Sequence, residues 1–255
     1  MKTKLLSMIT AGILLGGCAA TEPANVQNCF DKPKLEQREL KELKEAKTSL
    51  DAFKSEYQDI AAYVNFLNQY VSDYSKYIGA AASASGFIKL MPIPYAGQIS
   101  SATGFGAKMT VLASNASKSI CNLNNSIKTF EAKLALAESD PAKLQDAQKY
   151  ADTVLSADIT AAELSLIKLK DGTASMMAVT AMMKGYYDST GDALSKAVNM
   201  FGKKEEAPKN APNEKALKAK NDSFEQKSTK IFSSFTETKT HLKNASVIGE
   251  LSKEL

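Results

Sequence analysis

Residues 34–78, KLEQRELKELKEAKTSLDAFKSEYQDIAAYVNFLNQYVSDYSKYI, decide the fold. They contain no glycine or proline, and apolar side chains recur at Leu43, Ala46, Leu50, Phe53, Tyr57, Ile60, Val64, Leu67, Val71, Tyr74 and Ile78. Steps of three and four alternate along this series, the spacing that keeps one stripe of an α-helix against a neighbour. Glutamate and lysine interleave through EQRELKELKEAK, as on a solvated helix face. From Tyr63 onward Phe66, Tyr70 and Tyr77 widen the stripe, so the upper half meets more than one neighbour. The spacing predicts one helix about 65–70 Å long at 1.5 Å per residue.

A second seam runs through Ile99, Ala102, Gly106, Met109, Ala113, Ala116, Ile120, Leu123, Ile127, Phe130, Leu134 and Ala137. Its first half is built of small residues and its second half of large ones, which predicts a close-packed thin end and a bulky end. Ser139-Asp140-Pro141 marks a helix end, with Asp140 as cap and Pro141 at the first position of the next helix. A third helix is expected over about 141–170, with Leu144, Ala147, Ala151, Leu155, Ala162, Leu166 and Leu169 inward. Asp171-Gly172 predicts a break before a fourth, about 173–201, carrying Met176, Val179, Met183, Tyr186 and Leu194. Residues 202–213, GKKEEAPKNAPN, have the composition of a linker. A fifth helix, about 214–243 within a C-terminal segment 214–255 that packs on the bundle, carries Leu217, Phe224, Ile231, Phe235 and Leu242. No run of period two is long enough for a strand, so the expected class is all-α: an elongated antiparallel helical bundle of long, coiled-coil-like helices.

The amino terminus has its own pattern. Lys2 and Lys4 precede an apolar run, Leu5 to Leu15, of signal-peptide rather than membrane-spanning length. It ends Leu15-Gly16-Gly17-Cys18, which resembles the bacterial lipobox. That resemblance implies cleavage after residue 17, acylation of Cys18 and anchoring to a membrane through its acyl chains. Ala19, where an aspartate would signal retention, implies by the same resemblance an outer-membrane lipoprotein facing the periplasm. Residues 18–33 then form a polar, proline-containing tether, and 34–201 the bundle.

Composition excludes more than it assigns. Of 32 basic residues only Arg38 is arginine, and 28 acids nearly balance them, which argues against nucleic acid as a partner. The single histidine, His241, sits on a Lys/Thr-rich helix and is expected to be solvent-exposed and alone. Met176-Met177 and Met182-Met183 offer thioethers of the kind that bind Cu(I), but without a nearby His or Cys they are expected to be core filler. No nucleophile–base set, zinc spacing or phosphate-cradling loop stands out, so neither catalysis, a cofactor nor a metal is expected. With Cys18 acylated, Cys29 and Cys121 are an even pair in an oxidising compartment, which invites a disulfide. An unbroken first helix holds the two far apart, however. The bond therefore needs a helix break at Thr48-Ser49, where Thr48 to Asp51 matches a capping-box pattern, or a bend near residues 122–125; pairing between chains and free thiols are the alternatives.

From Tyr74 to Phe130, 57 residues carry five lysines and no acid, where about six acids would fall by even placement. Exclusion of carboxylates from a packed core accounts for this, and so does a cationic, apolar contact surface at the turn between the first two helices, residues 79–98. Phe87, Ile88, Lys89, Leu90, Met91, Ile93, Tyr95, Phe105 and Lys108 are the candidate residues for contact with a protein partner or anionic lipid over 79–108. Pro92 and Pro94 deny that segment a straight membrane-spanning helix. Long helices joined by such an apolar, glycine-bearing head resemble the α-helical pore-forming toxins, which implies a tip able to enter a bilayer.

Overall fold

A computed structural model describes residues 31–88, 96–200 and 213–254; side chains are described for 31–75, 104–181, Lys184 and 213–254. The helices are α1 (Lys32–Ser49), α2 (Asp51–Ile88), α3 (Ala96–Ser139), α4 (Leu144–Tyr150), α5 (Ser156–Met200) and α6 (Glu214–Lys253). Among the described residues there is no strand, and the class is the all-α bundle that the spacing predicts. The chain runs up α1–α2, down α3, up α4–α5 and down α6. Each rod packs against the next, and α6 closes the ring against α1 and α2.

The seam of α1–α2 is continuous. Leu43, Ala46, Leu50, Phe53, Ile60, Val64, Leu67, Val71 and Tyr74 are all buried, with Tyr57 half-buried against them. The one departure is at Leu50, where ψ is −10° and the N–H is shared between the Ala46 and Lys47 carbonyls. The Thr48 hydroxyl donates to the Lys44 carbonyl at 3.0 Å, so the capping box that a disulfide-permitting break would use does not form. Instead the Ser234 hydroxyl on α6 donates to the Ser49 carbonyl. The seam passes through this tight turn without changing face.

Two corrections concern where helices stop. No break occurs at Asp171-Gly172: α5 runs through it. Gly172 is there for close approach, since a Cβ at that position would lie 2.7 Å from Leu112 Cδ1 and 2.8 Å from Met109 Sδ on α3. The turn between α2 and α3 is also shorter than the expected 79–98, because α2 continues to Ile88 and α3 starts at Ala96. The end of α3 agrees with the sequence: Asp140 Oδ1 accepts from the Ala142 N–H at 3.0 Å, and Pro141 opens a single 3₁₀ turn.

A second irregularity has a cause in residue spacing. From Leu144 to Leu169 the buried apolar residues of α4–α5 are Leu144, Ala147, Ala151, Leu155, Ile159, Ala162, Leu166 and Leu169. From Ala147 to Ile159 three steps of four come in succession, one residue more than an alternating seam accommodates. The backbone takes up that residue as a π-helical turn over Ala151–Leu155.

Polar contacts across the seams fix the register. Lys54 Nζ meets Glu131 Oε1 at 2.7 Å, Lys44 meets Glu138 at 3.2 Å, and Lys227 meets Glu56 at 3.0 Å as well as Asp59. Half-exposed pairs of this kind add little net stability, so their effect falls on alignment. Deeper in, Tyr63 stacks on Phe224 with ring centroids 4.2 Å apart, and its hydroxyl lies 3.1 Å from Thr173 Oγ1 and 3.0 Å from Asn221 Oδ1. One phenol thus joins α2, α5 and α6, whereas the buried hydroxyl of Tyr74 has no hydrogen-bond partner.

These two tyrosines predict opposite outcomes. Tyr63→Phe leaves buried Asn221 and Thr173 without their shared partner and lowers stability by about 1–3 kcal/mol. Tyr74→Phe removes a hydroxyl that bonds nothing and leaves stability equal or higher. Urea denaturation tracked by circular dichroism measures both; equal losses would contradict this assignment of the core hydrogen bonds.

Candidate functional site

The two chain ends of the described bundle meet at its base, where α1 starts and α6 finishes. Stepping back along the α1 seam from Leu43 by fours gives Glu39 and then Leu35, so a carboxylate occupies a core position. Glu39 is 4% exposed. It fits because α6 presents Gly249 opposite it; a Cβ on Gly249 would lie 3.1 Å from Glu39 Oε1. Burial pushes the Glu39 carboxyl up to about 7; Lys253 opposes this, while Glu36 and Asp152 add to it.

Beside Glu39 opens a polar cleft of about 580 Å³ between the starts of α1 and α4 and the end of α6. Gln148, Asp152, Lys149 and Lys253 line it with Glu39. Gln148 Nε2 donates to Asp152 Oδ2 at 2.9 Å, which leaves the buried Gln148 Oε1 without a partner. A buried carboxyl that titrates near neutrality, beside an unsatisfied amide oxygen, makes this cleft a candidate for polar ligands carrying hydrogen-bond donors.

One turn above lies a second cluster. His241 is not alone as expected: it is half-buried between α6 and α1, with Nδ1 2.9 Å from Glu42 Oε2 and 3.3 Å from Glu45 Oε2. Asn244 Nδ2 donates to the same Glu42 oxygen at 3.2 Å. Among the described residues, these three side chains can present one ligand atom each within 4.8 Å of one another. The pairing was hidden in the sequence because His241 and Glu42 come together only through the antiparallel register of α6 on α1.

The residues singled out from sequence are placed unevenly. Cys18, Cys29, Lys89, Leu90, Met91, Ile93 and Tyr95 lie outside the described residues. Phe87 and Ile88 belong to the last turn of α2, though their side chains are not among those described; Phe105 is half-buried against the core, and Lys108 is exposed. Met176 is buried and Met177 packs partly against the core, as filler does.

Cys121 is an exposed free thiol on α3, and its height on the bundle bears on the bond to Cys29 within one chain. The Lys54–Glu131 contact sets the level of α3 against the first rod. The rise from Lys32 to Lys54, and from Glu131 back to Cys121, puts that thiol about 48 Å above Lys32. The three residues from Cys29 to Lys32 reach about 10 Å. Neither a break at Thr48-Ser49 nor a bend at 122–125 shortens the path, because α1–α2 keeps its seam and α3 is one helix through those residues.

No family model, curated protein or solved structure matched the chain.

Glu39 gives the base of the bundle a pH dependence. A carboxyl whose pKa rises on folding holds its proton more tightly in the native state. Its favourable contribution is therefore complete below the ordinary carboxylate range and is lost as pH climbs through about 7. Melting temperature is expected to fall between pH 5 and pH 8 in the wild type, and the Glu39→Gln variant to lose much of that slope and melt higher at pH 8. An unchanged slope in Glu39→Gln would place the titration elsewhere.

Proposed function

We propose that this protein is a lipid-anchored lipoprotein of the cell envelope, held at the outer membrane facing the periplasm, whose helical body serves as a binding, scaffolding or spacer module and performs no catalysis. The observation that carries this reading is the length of the rod. Residues 32–88 form one nearly continuous rise of about 85 Å, with a core along its described length. The lipobox-like Leu15-Gly16-Gly17-Cys18 precedes it by a short polar segment. A narrow bundle tethered at one end suits holding a partner away from a bilayer better than it suits enclosing a substrate.

A second reading, a membrane-active protein whose 79–108 region lies on or enters lipid, is favoured by one observation. From Gly104 to Phe130 every solvent-facing position of α3 is neutral or lysine, with Lys108, Lys118 and Lys128 all exposed. Desolvation keeps acids out of a core but does not act on exposed positions, so core packing explains only half of the acid-poor stretch. Such a face suits anionic lipid or an acidic protein partner. Among the described residues, no helix is long and apolar enough to cross a membrane.

Fractionation and liposome flotation separate the two. Cys18→Ser is expected to move the protein from the membrane to the soluble envelope fraction, and its retention on membranes would count against acyl anchoring. Residues 24–255 are expected not to float with anionic liposomes. Flotation that is abolished by the Lys89→Glu/Lys108→Glu double change would favour the membrane-active reading instead.

A further inference from the structure

We propose that Glu42, Glu45 and His241 form a binding site for a first-row divalent transition metal ion, zinc above all, that clips α1 to α6. The proposal goes beyond the scaffold reading and does not depend on it. Glu42 and Glu45 are one turn apart and face the same way, and His241 approaches them from the antiparallel helix. Its Nδ1 stands 2.9 Å from one carboxylate oxygen and 3.3 Å from the other. Two ligands at about 2.0–2.2 Å from a common tetrahedral ion stand roughly 3.3–3.6 Å apart, so the ring nitrogen already stands close to that separation from each carboxylate, and all three ligand atoms lie within 4.8 Å of one another. An ion there takes the place of the hydrogen between the ring nitrogen and Glu42.

The surroundings fit such an ion. Asn244 donates to Glu42 Oε2, and Lys41 lies 3.6 Å from Glu45 Oε1, leaving Oε2 directed at the imidazole. These are the outer contacts that orient a metal's ligands. The histidine and Glu42 side chains are 27% and 21% exposed and that of Glu45 is 41%, so an ion has a path from solvent and a fourth position for water. One nitrogen and two carboxylate oxygens favour zinc, cobalt or nickel over calcium and magnesium, which prefer all-oxygen shells.

The test uses the full-length protein with Zn²⁺ and Co²⁺ as probes. Zn²⁺ at about a hundredfold over its dissociation constant is expected to raise the melting temperature by about 5 °C. Co²⁺ is expected to give visible absorption bands of a low-coordinate site. His241→Ala, read as the metal-dependent shift against its own metal-free melting temperature, is expected to lose both signals. Glu45→Gln, at the most exposed ligand, is expected to weaken Zn²⁺ at least tenfold. The proposal is overturned if the wild type responds to neither ion, or if His241→Ala keeps the response, which would locate the ion on other carboxylates.

Discussion

Four helices share one core along the body of this protein only while their apolar stripes stay in phase. An ideal helix drifts by about 20° per heptad relative to a strict seven-residue repeat, so without correction the stripes would rotate out of contact over the several heptads of this rod. The chain corrects for this in two ways. Most of each seam keeps the alternating spacing that a gentle supercoil absorbs, and where α4–α5 carries one residue too many, a π-helical turn removes the excess in place. The large side chains can then meet in layers, as Phe53 meets Phe235 at 5.6 Å and Tyr63 meets Phe224. Hydrophobic burial supplies the driving force, and phase decides whether that burial is available at every level of the rod.

Polar groups in the core and along its edges do a different job. The Tyr63 hydroxyl, Ser234 on the Ser49 carbonyl, and the Lys54, Lys227 and Lys239 ion pairs join neighbouring rods at defined heights. An apolar seam with a regular repeat tolerates sliding by a whole heptad, because one leucine resembles the next. A phenol that must find Asn221 and Thr173, or a carboxylate packed closely against Gly249, does not. The stability gained at each contact is modest, but each raises the free energy of the slipped alternatives.

The long seams were legible because their positions are filled by residues that announce themselves: Leu, Ile, Phe and Val at three–four steps through α2 and the large half of α3. The seam of α6 was only half legible. Its buried positions include Asn221, Ser228, Thr238, Gly249 and Ser252, which a hydropathy pattern counts as surface. Thr238 and Ser228 satisfy their hydroxyls on the carbonyls of Ser234 and Glu225, and so can be buried at little cost. Gly172 was misjudged for a related reason: glycine weakens a free helix but permits a tight crossing, and spacing does not distinguish the two. Glu39 could have been found by extending the first seam backwards past Leu43. The partners of His241 could not, since they depend on how α6 registers against α1.

Because both ends of the described chain emerge at the base, the bundle has a mechanical anisotropy. A load passing from the start of α1 to the far end of the rod runs parallel to the helix axes, in shear, and strains every layer of the seam together. A load applied between the start of α1 and the end of α6 instead peels these helices apart from Leu35 and Gly249 upward, one layer after another. The same set of contacts is therefore strong along the rod and weak across its base, the arrangement of a strut that can be dismantled from below.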